Sequence, residues 1–181
     1  MKLKSTIILV LILSIGAQKS SGQTQAAAEG WSVLDADGYS IQYPSGWELQ
    51  QNGLGGTTFI ILSPQVSSED LFRENVNLLI QDLTGQNIDL NKYTAISENQ
   101  IKTMITNGNI IESKRVVSGK NPYQKEIYTG DEGIYKLKFE QYYWILDNKA
   151  YVLTFTTEQT KFDTYKADGE KILSSFRLKH K

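Results

Sequence analysis

The sequence contains no cysteine and only one histidine, His180, next to the C-terminus. Without cysteine the mature chain can form no disulfide, cannot carry the lipid that a lipoprotein signal adds to cysteine, and has no thiol nucleophile. A catalytic triad also needs a histidine within the fold. These absences argue against the common nucleophilic hydrolases. We interpret His180 as a solvated tail residue, because no partner ligands for a metal lie near it in the sequence.

A long apolar run occurs only at the N-terminus, where Lys2 and Lys4 precede the apolar residues 6–17. A positive start and a short apolar run predict a secretory signal peptide, here residues 1–22 with cleavage after Gly22. A membrane-spanning helix needs roughly 20 apolar residues, so a permanent anchor is the weaker alternative. We therefore expect an exported protein, periplasmic or secreted, with no stable membrane anchor after cleavage.

No charge of one sign dominates, since the chain has 19 basic and 20 acidic residues. Removal of residues 1–22 takes away three lysines and leaves 16 basic and 20 acidic residues, a net charge of −4. The remaining lysines are spread among carboxylates. Nucleic-acid binding requires a clustered basic surface, so we expect no nucleic-acid partner.

We expect the residues after the signal peptide to form a single domain. Residues 23–30 are polar and rich in alanine, which is typical of a disordered leader. About 150 residues follow, enough for one core. We assign the domain to residues 31–178 and a short basic tail to residues 179–181.

Strand patterns come in two blocks. Alternating apolar and polar residues, bounded by glycine and proline, predict three early strands that begin at Tyr39, Thr57 and Asn75. On the third, Val76 and Leu78 face the core, whereas Asn75 and Asn77 lie mostly on the other side. Four longer strands follow, joined by turns at 130–133 and 147–148, so their pairing should be antiparallel. These later strands are predicted at 110–117, 123–129, 134–146 and 150–157.

Two amphipathic helices complete the pattern. Apolar residues recur every three or four positions in 89–106, where Asp89 is placed to cap the helix. The second helix is predicted at 161–175, with Thr160 and Asp163 spaced as a capping box. This order predicts an α+β fold in which an antiparallel β-sheet is flanked by α-helices, an α/β/α sandwich.

Several segments resemble the PsbP and DcrB-related family: Tyr43-Pro44-Ser45-Gly46-Trp47, Ser63-Pro64, Asn75-Val76-Asn77, Tyr151-Val152-Leu153-Thr154-Phe155-Thr156 and Ser174-Ser175-Phe176. The resemblance extends from residue 31 to residue 176. It implies the same sandwich and a binding or assembly role rather than catalysis. This sequence departs from the DcrB-type pattern because it lacks the lipidated cysteine, so the resemblance does not extend to a membrane anchor.

No residue pattern specifies a reaction. Asp35 and Asp37 superficially suggest a calcium loop, but a third ligand and the terminal glutamate are missing, so we predict a turn. Asp131 and Glu132 are interpreted as solvated residues of a hairpin tip. We assign no catalytic residue, no cofactor and no metal ligand.

Aromatic residues on both faces of one predicted strand stand out. Tyr142, Tyr143 and Trp144 are consecutive, and the favoured interpretation is that helices cover both sides of this strand. The alternative is an exposed interaction surface that includes Tyr142 and Trp144. Trp31, before the first predicted strand, is either a lid on the core or a further contact.

Three hypotheses about function follow. The first is a non-catalytic binding module that helps to assemble or stabilise an envelope complex, with an envelope protein as partner. The second is a carrier that holds a small apolar ligand between sheet and helix, suggested by the aromatic residues of the later strands. The third is a hydrolase that uses only Ser, Tyr, Lys and carboxylates, and it requires a cleft that gathers such residues.

Overall fold

The computed structural model describes residues 29–117 and 121–179. The predicted signal peptide lies outside the described residues, as do residues 23–28 of the predicted leader and residues 180–181 of the tail. Glu29 and Gly30, the last residues of the predicted leader, form a turn in which the Gly30 carbonyl accepts a 2.9 Å hydrogen bond from the Ser45 amide. The last residue of the predicted leader is therefore bonded to the domain.

The described part of the chain forms ten strands and two α-helices. The strands are β1 Trp31–Asp35, β2 Tyr39–Pro44, β3 Glu48–Gln50, β4 Phe59–Leu62, β5 Asn75–Asp82, β6 Thr106–Val116, β7 Tyr123–Glu132, β8 Tyr135–Leu146, β9 Lys149–Glu158 and β10 Arg177–Leu178. The helices are α1 Leu90–Met104 and α2 Phe162–Ser175. In this part of the chain no helix is long and apolar enough to cross a membrane.

The strands form two antiparallel sheets. The larger has seven strands in the order β3-β4-β5-β9-β8-β7-β6, and the smaller has three in the order β1-β2-β10. The predicted α+β class with antiparallel strands is confirmed. The small sheet was not predicted: Trp31 lies within β1 and pairs with Pro44, rather than preceding the first strand.

The two helices lie on opposite faces of the large sheet. On one face Tyr93 of α1 packs against Tyr143 with ring centroids 5.1 Å apart. On the other face Phe162 of α2 packs against Phe155 at 6.1 Å. The small sheet joins the α2 side, where Ile41 is fully buried in the largest apolar cluster. Both faces of the large sheet are thus covered, as in a sandwich.

Helix caps and turns that depend on residues close together in the chain were predicted correctly at two places. The Asp89 carboxylate accepts a 2.8 Å hydrogen bond from the Lys92 amide and caps α1. Asp147 and Asn148 both have positive φ, 50° and 56°, as a two-residue hairpin loop requires. The capping box predicted for α2 is wrong, because residues 159–161 already form a 3₁₀ turn and no side chain caps the helix.

The turn between β7 and β8 is shorter than predicted. Pairing continues to Glu132 opposite Tyr135, so only Gly133 and Ile134 form the loop. Gly130 lies inside β7, where a Cβ atom would come within 2.2 Å of the Ile105 side chain that follows α1. This glycine therefore allows close packing and does not make the turn.

The polar side of β5 is buried, in contrast to the predicted alternation of a core face and an outer face. Asn75 and Asn77 are 4% and 1% exposed, and the Asn77 amide donates a 3.3 Å hydrogen bond to the Asn75 side-chain oxygen. Polar side chains of neighbouring strands share this face: Asn77 pairs with Thr154, and Thr154 pairs with Gln141. A polar strand face can therefore lie in the interior when its side chains bond to one another.

Candidate functional site

Exposed apolar side chains gather around one cleft. Six large hydrophobic residues are exposed in the described part of the chain, and three of them, Val66, Leu71 and Ile134, line the same cavity of about 470 Å³. Their exposed fractions are 68%, 69% and 85%. We name this cavity the apolar-rimmed cleft. Clustered exposed hydrophobic residues are the usual mark of an interaction site, whereas isolated ones are normal.

The β7–β8 hairpin presents Ile134 at its tip. Gly133 has a φ of 58°, which favours glycine, and it precedes Ile134 in the two-residue loop. Such loops normally carry polar residues, because they are surrounded by water. An isoleucine at this place gains nothing for the fold through burial, so its exposure is consistent with a contact to another molecule.

Val66 and Leu71 come from the segment between β4 and β5, residues 63–74, which we name the rim loop. Phe72 anchors this loop: it is 1% exposed and packs against Tyr135 with ring centroids 5.3 Å apart. Arg73 fixes its base by donating a 2.6 Å hydrogen bond to the Ser63 carbonyl and a 2.8 Å bond to the Glu48 carboxylate. The rim loop therefore holds its apolar side chains on a fixed support.

The floor of the cleft contains a charge cluster centred on Lys161. Its ammonium nitrogen lies 2.7 Å from carboxylate oxygens of both Asp70 and Glu158 and 3.7 Å from Glu74. Lys161 follows β9, and Asp70 belongs to the rim loop, so these ion pairs tie the loop to the start of α2. Glu74 is fully buried and also accepts a 3.4 Å hydrogen bond from Ser63.

The electrostatics of this cluster do not resemble those of a catalytic lysine. Burial lowers the pKa of Lys161, but hydrogen bonds to Asp70 and Glu158 outweigh it and raise the pKa above its ordinary value. A lysine that acts as a base or nucleophile needs a lowered pKa. The cleft does gather Ser67, Tyr135 and Lys161, as the hydrolase hypothesis requires. The raised pKa favours the protonated ammonium, which is not the form of lysine that activates a serine or a tyrosine.

The cleft has a negative balance of charge. Its lining includes three carboxylates, those of Glu69, Asp70 and Glu158, against the single ammonium of Lys161. Hydrogen bonds from Ser68 and Ser67 lower the pKa of Glu69, which keeps it ionised at neutral pH. Apolar side chains and unneutralised negative charge thus meet at one place on the surface.

The residues of the predicted interaction surface do not form one patch. Tyr142 and Trp144 are 7% and 8% exposed. This side of β8 is covered by α2, by Phe176 and by Tyr123. This burial agrees with the favoured interpretation, in which both sides of the strand are covered, and it corrects the alternative in which Tyr142 and Trp144 form an exposed surface. Trp31 is partly exposed, and the Lys171 ammonium lies 3.9 Å from the centroid of its ring. Neither Tyr142, Trp144 nor Trp31 belongs to the apolar-rimmed cleft.

The aromatic residues behind the carrier hypothesis pack against one another. The ring centroid of Tyr123 lies 5.0 Å from that of Tyr142 and 5.1 Å from that of Trp144, and the Trp144 centroid lies 5.1 Å from that of Phe176. These contacts account for the aromatic stretch as part of the apolar core. They remove the observation that suggested a bound apolar ligand at this place.

The residues considered for metal binding have other roles. Ala36 donates a 3.0 Å backbone hydrogen bond to Tyr39, so residues 36–38 form the predicted turn, and Lys179 pairs with Asp35. Asp131 accepts a 2.6 Å hydrogen bond from Asn107 and lies in β7 rather than at the hairpin tip. In residues 29–117 and 121–179, no group of three or more His, Cys, Asp or Glu side chains is placed to hold a metal ion. His180 lies outside the described residues.

Sequence reasoning missed the residues that form the cleft. Val66 and Leu71 are more than 60 residues away from Ile134 in the chain, and tertiary contacts such as the packing of Phe72 on Tyr135 bring them together. One local signal existed, since Ile134 follows a glycine in a predicted turn. Ile134 was predicted as the first residue of a strand, and the structure places it in the turn, where a large apolar side chain is unusual.

Comparisons with known proteins agree with the fold. A sequence profile of the PsbP family matches residues 33–178. The solution structure of cyanobacterial PsbP (CyanoP) from Synechocystis sp. PCC 6803 is 15% identical with a TM-score of 0.61, over 88% of this chain and 98% of that one. LpqN, described as involved in cell envelope biogenesis of Mycobacterium tuberculosis, is 11% identical with a TM-score of 0.61, over 83% of this chain and 92% of that one.

A third structure, the protein of unknown function PA94 from Pseudomonas aeruginosa, is 9% identical with a TM-score of 0.60, over 78% of this chain and 92% of that one. No curated protein matches the sequence significantly. At such low identities the structural likenesses show the fold alone. The profile, however, covers nearly the whole described domain, and the chain therefore belongs to the PsbP family.

Proposed function

We propose that this protein is an exported binding module without catalytic activity, which assembles with an envelope protein through the apolar-rimmed cleft. The observation that carries the proposal is the gathering of Val66, Leu71 and Ile134 around one cavity. Leaving three such side chains in water costs free energy, since each would gain roughly 1.5–3 kcal/mol on full burial. A partner that covers them recovers this cost.

The charges of the cleft indicate the chemistry of the partner. Glu69, Asp70 and Glu158 face one ammonium group that is already paired, so the surface favours an approaching cation. We therefore propose that the occupant is a segment in which apolar side chains are flanked by Lys or Arg. The apolar residues would fill the cleft and the basic residues would lie against its acidic edge.

The proposal that the protein is exported rests on its sequence. Lys2, Lys4 and the apolar residues 6–17 form the pattern of a cleavable signal, which would deliver the domain to the cell envelope. LpqN, which shares the fold, is described as acting in cell envelope biogenesis of its own organism. An envelope partner is consistent with that compartment.

The absence of catalysis is inferred from the chemistry of the cleft. Its only lysine is held in the charged form by two carboxylates, and the described residues of the cleft include no histidine or cysteine. A binding role is the function that this geometry supports best.

Comparison of the wild type with rim variants tests the proposal. Tagged mature protein is purified from its native envelope after crosslinking, alongside the double variant Leu71→Ser/Ile134→Ser and the control Ile111→Ser. Ile111 is 55% exposed but lies on β6, outside the cleft. We expect one recurrent partner that the wild type and the control retain and the rim variant loses. A partner retained equally by all three proteins would contradict docking at the cleft.

A further inference from the structure

A second cavity, of about 540 Å³, lies between the outer face of the small sheet and the C-terminal half of α2. The strands contribute Ser40, Gln42 and Arg177, and the helix contributes Lys171 and Ser174. Pairing of Ser40 with Arg177 places these two residues side by side on β2 and β10. We name this cavity the cationic groove.

The groove carries two positive charges and no negative one. Lys171 and Arg177 line it, whereas no aspartate or glutamate does. Lys114 and Lys166 each have a carboxylate within 4.0 Å, although not every exposed lysine of the described chain does. Lys171 and Arg177 have none in the described part of the chain. The lining of the groove is therefore positive, although the protein as a whole has a net charge of −1.

Arg177 is held in place by the end of α2. Its Nη1 atom donates hydrogen bonds of 2.6 Å to the Ser174 carbonyl and 2.8 Å to the Phe176 carbonyl. These bonds use the carbonyl groups that a helix leaves unpaired at its C-terminus. They also fix the plane of the guanidinium, whose remaining N–H groups stay available to an acceptor.

The groove offers further donors. The Lys171 ammonium lies 3.9 Å from the centroid of the Trp31 ring, a weak contact that a full negative charge can replace. The Ser40 hydroxyl and the Gln42 side-chain amide form no hydrogen bond within the described residues. Two cationic and two neutral donors thus surround one cavity, which is the arrangement that an oxyanion with several oxygens accepts.

From this arrangement we propose that the cationic groove binds a phosphate monoester. Such a group carries close to two negative charges at neutral pH, which matches the two cations of the groove. The volume lies within the range of roughly 300–1,000 Å³ that is usual for small-molecule sites. The phosphate can belong to a free small molecule or to a lipid head group that ends in phosphate. The proposal does not depend on a partner at the apolar-rimmed cleft.

The fluorescence of Trp31 provides a direct readout. A bound phosphate draws the Lys171 ammonium from the Trp31 ring and changes the emission, whereas Trp47 and Trp144 are buried at 7% and 8% exposure. We expect a saturable change when mature protein is titrated with glycerol 3-phosphate at constant ionic strength, and its loss in Trp31→Phe. Absence of saturation up to about 10 mM, measured also by calorimetry, would overturn the proposal.

Variants that each remove one positive charge distinguish binding at a defined site from general electrostatic attraction. Calorimetry should show that Lys171→Gln and Arg177→Gln each weaken glycerol 3-phosphate binding about tenfold or more. The matched control Lys166→Gln lies on the same helix outside the groove and should bind as the wild type does. Equal weakening by the control would overturn the proposal. Lys171→Gln does not remove the hydrogen bonds between Arg177 and the carbonyl groups of the helix end. The proposal can therefore be tested with this variant even if Arg177→Gln unfolds.

Vesicles distinguish the two sources of phosphate. Sedimentation with vesicles that contain phosphatidic acid, and release by glycerol 3-phosphate, would assign the groove to a lipid head group. Binding of glycerol 3-phosphate without sedimentation would assign it to a free phosphate monoester. Sedimentation that is unchanged in Lys171→Gln and is not released by glycerol 3-phosphate would contradict a role of the groove in either case.

Discussion

The Tyr143 hydroxyl donates a 2.7 Å hydrogen bond to the carboxylate of Glu126, which is fully buried between α1 and the large sheet. Ser97 of α1 donates to the other carboxylate oxygen at 2.8 Å, so both oxygens are bonded. Burial nevertheless raises the pKa of Glu126, and the two hydroxyl donors lower it only in part. The contact between α1 and the sheet therefore includes a group whose ionisation costs stability.

This relationship predicts how stability depends on pH. Because the pKa of Glu126 is raised in the folded state, the folded protein binds more protons than the unfolded chain, and stability falls as pH rises through the folded pKa. Glu126→Gln keeps an acceptor for Tyr143 and removes the charge. We expect this variant to be more stable than the wild type near pH 7.5, with the difference shrinking towards about pH 4. Urea unfolding at both values measures it, and a variant destabilised equally at both would contradict the account.

A second prediction concerns the contact between α2 and β9. At Gly169 a Cβ atom would lie 2.4 Å from Cε1 of Phe155, which is fully buried. Alanine is the better helix former by about 1 kcal/mol, but forcing it against the ring costs more. We expect Gly169→Ala to lower the free energy of unfolding by up to about 2 kcal/mol in a denaturant titration.

A double variant identifies the cause of that loss. Phe155→Leu removes the ring atoms nearest to position 169 and is destabilising by itself. If steric overlap is the cause, adding Gly169→Ala to Phe155→Leu should cost less than it does in the wild type. An equal cost in both backgrounds would show that the ring is not responsible.

A third prediction concerns the rim loop. Lys161→Met removes the cation that Asp70, Glu74 and Glu158 share. The Lys161 side chain is 30% exposed, so solvent weakens its ion pairs, and we expect a loss of about 2 kcal/mol in unfolding free energy. Hydrogen exchange in residues 63–74 should accelerate, because the loop loses its tie to α2.

Lys166→Met is the matched control for Lys161→Met. Lys166 pairs with Glu170 across 3.9 Å, with both side chains more than 40% exposed, so its removal should change stability by less than about 0.5 kcal/mol. Exchange in the rim loop should remain as in the wild type. Similar losses in the two variants would indicate that the cluster around Lys161 does not hold the loop.

The parts of the fold that were predicted correctly depend on residues close together in the chain. Asp89 caps α1 through an amide three residues away, and Asp147 with Asn148 forms a loop that needs only these two residues. In the small sheet, the pairing of β10 with β2 escaped prediction because β10 has two residues and lies more than 130 positions after β2. Such a pairing leaves little pattern in the sequence. Strand β1 was missed as well, although it pairs with the next strand along the chain.

The burial of polar residues could not be predicted from the sequence either. Glu126 lies between Lys125 and Ile127 in β7, a sequence that gives no sign of burial, and the docking of α1 places it in the interior. The aromatic stretch around Tyr143 was the one signal that both faces of the sheet are covered. The apolar-rimmed cleft is likewise formed by tertiary packing, since its two sides are far apart in sequence.

The central claim, docking of a basic and apolar segment at the cleft, is tested most directly by site-specific photocrosslinking in the native envelope. A photoreactive residue is placed at Ile134 or, as a control, at Ile111, and the crosslinked partner segment is sequenced by mass spectrometry. We expect a single recurrent segment at position 134, absent at position 111, with apolar residues next to Lys or Arg. The same products at both positions, or an acidic segment at position 134, would contradict the account.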